Sequence, residues 1–478
     1  MDLSLGKVAI NIFILILIKA IIFLSLLYKF GFIYGTIIMV ISTLFYHKIL
    51  EIFFGLKTLN GYDKVFVTNY PIGRYQIITQ LRFSNFNPEK LKIFFIEKLL
   101  KKVPKLRYKL KYSFLEFYWK EINDISEALE KVMIKPKLKN DEELTQYIHK
   151  ELNKQIDIFE EIPYEIHILQ VGDDETKGVA LLKYDHILSD GLGLVTSLCM
   201  ISDNFTEEMY PKIMRNMKEP RWYELIYLWI VFPFYFSYIT FYFNLYRPAK
   251  NPFRAVEKPM SNNSQFLLSN SFKLKDFEKY RKTNKVSFND IMMTSFSIAM
   301  KKVLSNSPVY KNKKNLVIDL PVGRKEIPKL LQNVAIINEA SGVLVDIPLI
   351  EDEKEMKKVT KGIRAFFKPE IQFSLGIGAD LLGEIVPWKL LEFFSAKFAK
   401  TFDFLFTNVP GPTMKLIYGD CICEDMVSFP ASGGGMPFVT ILSFNGQFKF
   451  VLSSNENADW GFKDLMNEYE NVLKKFII

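Results

Sequence analysis

Lys183-Tyr184-Asp185-His186-Ile187-Leu188-Ser189-Asp190-Gly191 leaves an apolar, strand-like run and sets His186 four residues before Asp190, with a glycine next. The pattern reads H-x-x-x-D-G. An imidazole at a strand exit can face a cavity as a general base, while a carboxylate one turn later can fix the surrounding loop. The plainer reading is a capped strand-to-helix turn, in which Ser189 and Asp190 cap a helix beginning near Leu192.

On both sides of this run the chain alternates strands and helices. Residues 75–82 read as a strand and 88–102 as an amphipathic helix; 164–171 and 178–184 read as two strands joined by the polar turn Gly172-Asp173-Asp174. A polar stretch at 247–264, rich in Pro, Asn and Lys, reads as a connection. A second α/β set follows. It has a helix at 287–304 entered through Asn289-Asp290, a strand at 316–322 running into Gly323-Arg324, and strands at 438–444 and 447–453 around Asn445-Gly446, the strongest short hairpin signal. With 478 residues, more than one ordinary core is needed, and two lobes are expected.

The hydrophobic excess lies in blocks. Residues 8–28 and 30–46 are almost wholly apolar, broken by Asn11, Lys19 and Lys29. Both approach the ~20 residues that span a bilayer as helix. They predict a retained membrane anchor over 1–56, either a hairpin turning near Gly31 and Gly35 or one broken helix; a cleavable signal peptide would need a shorter apolar region. A third block, 222–246, is aromatic throughout with Pro233 at its middle. A single crossing there would place the two halves of the core in different compartments, so it is expected to lie in one leaflet. The divisions expected are therefore 1–56, 57–221, 222–260 and 261–478.

A net charge of +9 suits an anionic membrane surface or a phosphate-bearing ligand. Nucleic acid is not indicated, because Lys98, Lys101, Lys102, Lys105, Arg107, Lys109 and Lys111 are scattered and no nucleic-acid-binding motif accompanies them. Cys199, Cys421 and Cys423 are too few for a disulfide framework, and no metal site or cofactor is expected from them. His47, His149 and His167 stand in no comparable context and receive no role.

Six segments in order resemble the bifunctional wax ester synthase/diacylglycerol acyltransferase family. They are Pro104-Lys105-Leu106-Arg107; Asp185-His186 with Asp190-Gly191, similar to H-H-x-x-x-D-G; Ser287-Phe288-Asn289-Asp290; Pro321-Val322-Gly323-Arg324; Thr407-Asn408-Val409-Pro410-Gly411-Pro412, similar to S-N-V-P-G-P; and Ser443-Phe444-Asn445-Gly446. The resemblance covers roughly residues 60–478 and departs at the first histidine, which is Asp185 here.

It implies an α/β, two-lobed, chloramphenicol-acetyltransferase-like fold with a tunnel between the lobes. It implies a membrane-bound O-acyltransferase in which His186 is the general base moving an acyl group from acyl-CoA, the co-substrate, to a long-chain alcohol or diacylglycerol. Asp190, Gly191 and Arg324 would support the site, with Asp190 and Arg324 paired. Asn289 and Ser443 would line the tunnel or face the oxyanion, although Asn289 also reads as a helix N-cap. Asn408, Pro410, Gly411 and Pro412 would form a rigid loop. Membrane lipid is an expected partner, at the endoplasmic reticulum or plasma membrane with the core facing the cytosol. A condensation-type relative with another acceptor, or a non-catalytic lipid binder, is the alternative.

Overall fold

The computed structural model describes residues 42, 45–68, 75–113, 116–212, 220–242, 263–306, 310–323, 336, 338, 340–376, 388, 389, 391, 392, 401–432, 436–458 and 460–477. Two large sheets carry the fold. The first has strand order Leu416–Tyr418, Cys421–Pro430, Gln76–Ser84, Gly178–Asp185, Tyr164–Gln170, Val132–Ile134. The second runs Ser341–Pro348, Asn315–Val322, Phe404–Val409, Phe438–Phe444, Gln447–Asn455, Ser264–Leu268, with Phe272–Lys273 also on Gln447–Asn455. Cys421–Pro430 comes from the second half of the chain yet pairs antiparallel along Gln76–Ser84 in the first sheet. It ties the two lobes together.

Local sequence explains the elements. Gly178–Asp185 is buried along its whole length, which its nearly continuous apolar run requires of a central strand. Asp141–Asn153 starts at Asn140, whose side chain accepts the Glu143 N–H, and it lays Leu144, Ile148 and Leu152 against Ile78, Leu181 and Phe429. Such a cap contributes about 1 kcal/mol. Phe288–Ser305 begins with a reciprocal capping box between Ser287 and Asp290. Ser287, not Asn289, is therefore its N-cap. This helix and Phe462–Lys474 cover one face of the second sheet through Phe296, Phe404, Phe406 and Tyr469. The Phe438–Phe444/Gln447–Asn455 hairpin turns at Asn445 and Gly446, both with positive φ (48° and 75°), as a tight turn matching strand twist demands.

The expected N-terminal membrane anchor is corrected. Among the described residues no helix is long and apolar enough to cross a membrane. Residues 1–41 lie outside that set. The helical residues 45–54 carry a Lys48–Glu51 ion pair, place Leu50 against Leu56 and Tyr118, and lead directly into Leu56–Thr58, which pairs with Glu116–Glu121. That end of the segment docks on protein. Trp222–Phe241 is a 20-residue helix with Glu224 in its first turn and Pro233 at its middle.

Candidate active site

The Gly178–Asp185 strand ends one residue before His186, whose backbone N–H donates to Tyr75 O at 2.9 Å. Asp185 turns the chain: its carboxylate accepts the Ile187 N–H at 3.0 Å. The residue that replaces the usual first histidine thus makes a turn. Asp190 caps the Gly191–Ile201 helix by accepting Gly193 N–H at 2.7 Å, and its other oxygen accepts Ala340 N–H at 2.9 Å. The histidine loop is fastened to the second half of the chain through that bond. The Arg324 side of the expected Asp190–Arg324 pair lies outside the described residues.

The His186 ring is half-buried and stacked on Phe66, with centroids 4.0 Å apart and planes 18° apart. Its Nδ1 lies 3.2 Å from Asn338 Oδ1, and no described side chain hydrogen-bonds Nε2. Burial pushes the imidazole pKa below its ordinary 6.5, against opposing pulls from the Asp190 charge, from a hydrogen bond between the ring and the backbone of His186 itself, and from the Asn338 hydrogen bond. A neutral imidazole follows at neutral pH.

Behind it runs a polar chain in an apolar setting. Asn338 Nδ2 donates to Asp63 Oδ1 (2.9 Å), His186 O (2.7 Å) and Ile187 O (3.0 Å). Asp63, 2% exposed, also meets Lys105 Nζ at 2.9 Å and accepts the Trp119 indole N–H at 3.0 Å. Lys105 in turn donates to Ile187 O (3.2 Å) and Leu188 O (2.8 Å). Phe66 and Asp63 both come from the Gly61–Thr68 helix, and Lys105 from the Pro104–Arg107 turn. Sequence reasoning missed Asp63, Phe66 and Asn338; the only trace was a lone amide, Asn338, closing the apolar run 334–337.

The remaining motif residues form a buttress. A Cβ on Gly191 would come 3.0 Å from Val409 Cγ2, and one on Gly411 would come 1.8 Å from Ser443 O, so the 407–412 loop closes on its neighbours only through glycine. Gly411 N–H donates to Ser443 Oγ at 3.0 Å, and Asn445 N–H to Pro412 O at 2.8 Å. Pro410 and Pro412 flank the contact. Asn408 Nδ2 donates to Asn289 Oδ1 at 2.6 Å, where both side chains meet at the exposed start of the Phe288–Ser305 helix. The structure thus brings His186, Asp190 and Gly191 together, packs Gly411 on Ser443, and sets Asn289 with Asn408 apart from the His186 hydrogen bonds.

Among the described residues one group, Glu151, Glu165 and His167, brings metal-type donors within 4.8 Å of one another. The Lys183 ammonium already lies there, 3.0 Å from Glu151 and 3.5 Å from Glu165.

The fold is that of the two-lobed chloramphenicol-acetyltransferase-like acyltransferases. Similar solved structures include the wax ester synthase/diacylglycerol acyltransferase from Marinobacter aquaeolei VT8 (18% identity, TM-score 0.57, 87% of this chain and 98% of that one). Trichothecene 15-O-acetyltransferase from Fusarium sporotrichioides matches at 11% identity and TM-score 0.62, over 88% of this chain and 96% of that one. The starter condensation domain of rhizomide synthetase, in complex with C8-CoA, matches at 9% identity and TM-score 0.55, over 88% and 94%. No curated protein matches the chain. Residues 354–476 match the family described as WS/DGAT C-terminal domain.

Proposed function

We propose that the chain transfers a fatty acyl group from acyl-CoA to the hydroxyl of a long-chain alcohol or of diacylglycerol, with His186 as general base. The observation that carries this is the half-buried imidazole whose Nδ1 meets Asn338 and whose Nε2 has no side-chain partner among the described residues, in a chain with a WS/DGAT C-terminal domain. An alcohol is a weak nucleophile at neutral pH. Nε2 takes its proton as the oxygen bonds to the thioester carbonyl; the tetrahedral oxyanion collapses, the C–S bond breaks, and the proton passes to the CoA thiolate. Acyl-CoA is a co-substrate, and the sequence of steps calls on no cofactor. The likeness to a condensation domain solved with C8-CoA supports a thioester donor.

An apolar acceptor is taken here to arrive from a lipid surface, on the cytosolic side where acyl-CoA is available. Tyr223, Ile226, Tyr227, Ile230, Phe234 and Tyr238 recur at helical spacing on the Trp222–Phe241 helix and are all exposed, Phe234 by 74%. Aromatic residues in such a stripe favour the lipid–water boundary. Trp229, half exposed, packs on Phe373 (5.7 Å), and residue 376 of the same second-half helix accepts the Tyr62 hydroxyl at 3.1 Å. Tyr62 shares its helix with Phe66, against His186. Two helices and three contacts separate the aromatic helix from the imidazole.

Lipid chromatography of a host lacking neutral lipids, expressing the chain or His186→Ala, tests the reaction. Wax ester or triacylglycerol from the unaltered chain alone is expected; product from both would remove His186 as base, and none from either would remove the activity. Replacing Ile226, Ile230 and Phe234 by Ser is expected to weaken binding to anionic vesicles and to reduce use of long-chain acceptors more than of short alcohols. Equal loss for both acceptors would assign the stripe to packing.

A further inference from the structure

We propose that Asn338, oriented by the buried Asp63–Lys105 pair, is the positioning residue that holds His186 as its Nδ1–H tautomer and so leaves Nε2 bare as the base. The inference rests on the acyltransferase reading above and deepens it.

A neutral imidazole has one donor and one acceptor nitrogen, and the partner of one decides the role of the other. The atom facing Nδ1 is therefore decisive. Side-chain amides can present either oxygen or NH₂, but the amide of Asn338 is not free to turn over. Its Nδ2 faces three oxygens, those of Asp63, His186 and Ile187, at 2.7 to 3.0 Å. Turning it would set oxygen against all three. Oδ1 must face Nδ1, which must then carry the hydrogen.

Asp63 makes this arrangement firm. Its carboxylate is buried, and Lys105 and the Trp119 indole hold it, so the acceptor for Asn338 Nδ2 stays in place. Phe66 fixes the ring plane from one face. Asn338 and Lys105 together also collect the carbonyls of His186, Ile187 and Leu188, so the same groups set both the loop and the ring.

The choice of an amide has a chemical consequence. A carboxylate on Nδ1 would strengthen the imidazole's hold on a second proton, whereas Asn338 orients the ring without adding charge. Asp63 acts one bond further away, with its charge offset by Lys105. The base is aimed but stays neutral between turnovers.

The test is the ¹⁵N spectrum of histidine-labelled full-length protein, with the His186 signal assigned by its loss in His186→Gln. Protonated Nδ1 with bare Nε2 is expected in the unaltered protein. Asn338→Leu is expected to shift the signal toward the Nε2–H form and to lower kcat by about 10- to 100-fold, short of the ~10²–10⁴ expected from losing the base, with KM for acyl-CoA nearly unchanged. Asp63→Asn, which keeps the side-chain shape, is expected to give a mixed tautomer and an intermediate kcat. A bare Nδ1 in the unaltered protein overturns the proposal, as does an unchanged tautomer in a folded Asn338→Leu protein. The spectrum needs no turnover. A protonated Nδ1 without ester product would overturn the reaction and not the tautomer, and ester product with a bare Nδ1 would do the reverse.

Discussion

Two histidines belong to the same sheet and to opposite designs. His167, 1% exposed, has its Nδ1 2.9 Å from the Tyr147 hydroxyl and its Nε2 3.3 Å from Glu165. Around it Lys183 bridges Glu151 and Glu165. Burial works to raise the Glu165 pKa, but His167, Lys183 and Lys131 outweigh it and hold the carboxyl at about 2. At His186 one nitrogen meets a neutral amide and the other meets no described side chain. Both sites mix histidine, lysine and acid in an apolar interior. What separates them is whether charge touches the ring directly: a carboxylate stands beside His167 Nε2, and a neutral amide beside His186 Nδ1.

The sharpest break of that comparison is a paired substitution. His186→Ala is expected to lower kcat by ~10²–10⁴ with an unchanged melting temperature. His167→Ala is expected to keep kcat while costing about 1–3 kcal/mol of stability, since it strips a partner from buried groups. Turnover assays with thermal melts check both, and a reversal would exchange the roles assigned. Next in size, Lys183→Met leaves Glu151 buried without its cation and Glu165 with only Lys131 and His167 beside it. Urea unfolding should show about 3–5 kcal/mol lost, with activity per folded molecule retained.

A smaller effect probes the buttress. Gly411→Ala must push the loop off Ser443 O, for about 1–3 kcal/mol, and a melt matching the unaltered protein would show that the loop yields freely. The pH dependences should also part. His186 titrates below 6.5 in the fold, so kcat/KM should stay level at neutral pH and fall only below 6.5 as Nε2 gains its proton. Its contribution to stability is whole above 6.5 and lost as pH falls toward the folded value. Glu165, lowered from 4.5 to about 2, contributes fully above 4.5 and loses that contribution between 4.5 and about 2. Activity should therefore begin to fail at a higher pH than the Glu165 part of the stability, as parallel activity and circular dichroism titrations would show.

The strands on either side of His186, the capped helices and the Asn445-Gly446 hairpin were legible because each is a local signal: a period, a cap, a turn. Motif residues that act through backbone closeness were half legible. Gly411 stood out in its motif, but its reason, a carbonyl from residue 443, belongs to another strand. Asp63 and Asn338 left almost no trace. They lie 275 residues apart, and nothing in the period of either segment tells that they share a hydrogen bond. The anchor failed for a related reason, since apolar length alone does not say whether a segment's end meets lipid or, as at Leu50, the ring of Tyr118.

The exchange of Cys421–Pro430 into the first sheet bears on how the molecule comes into being. Thr79 and Ser428, hydroxyl to hydroxyl across those paired strands, are 349 residues apart. On the ribosome, Gln76–Ser84 emerges with one edge waiting for a partner made hundreds of residues later. Long-range pairing of this kind is slow, and an unpaired edge invites foreign strands. The first sheet is complete only once Cys421–Pro430 arrives, and until then the Gln76–Ser84 edge stands open to the wrong neighbour.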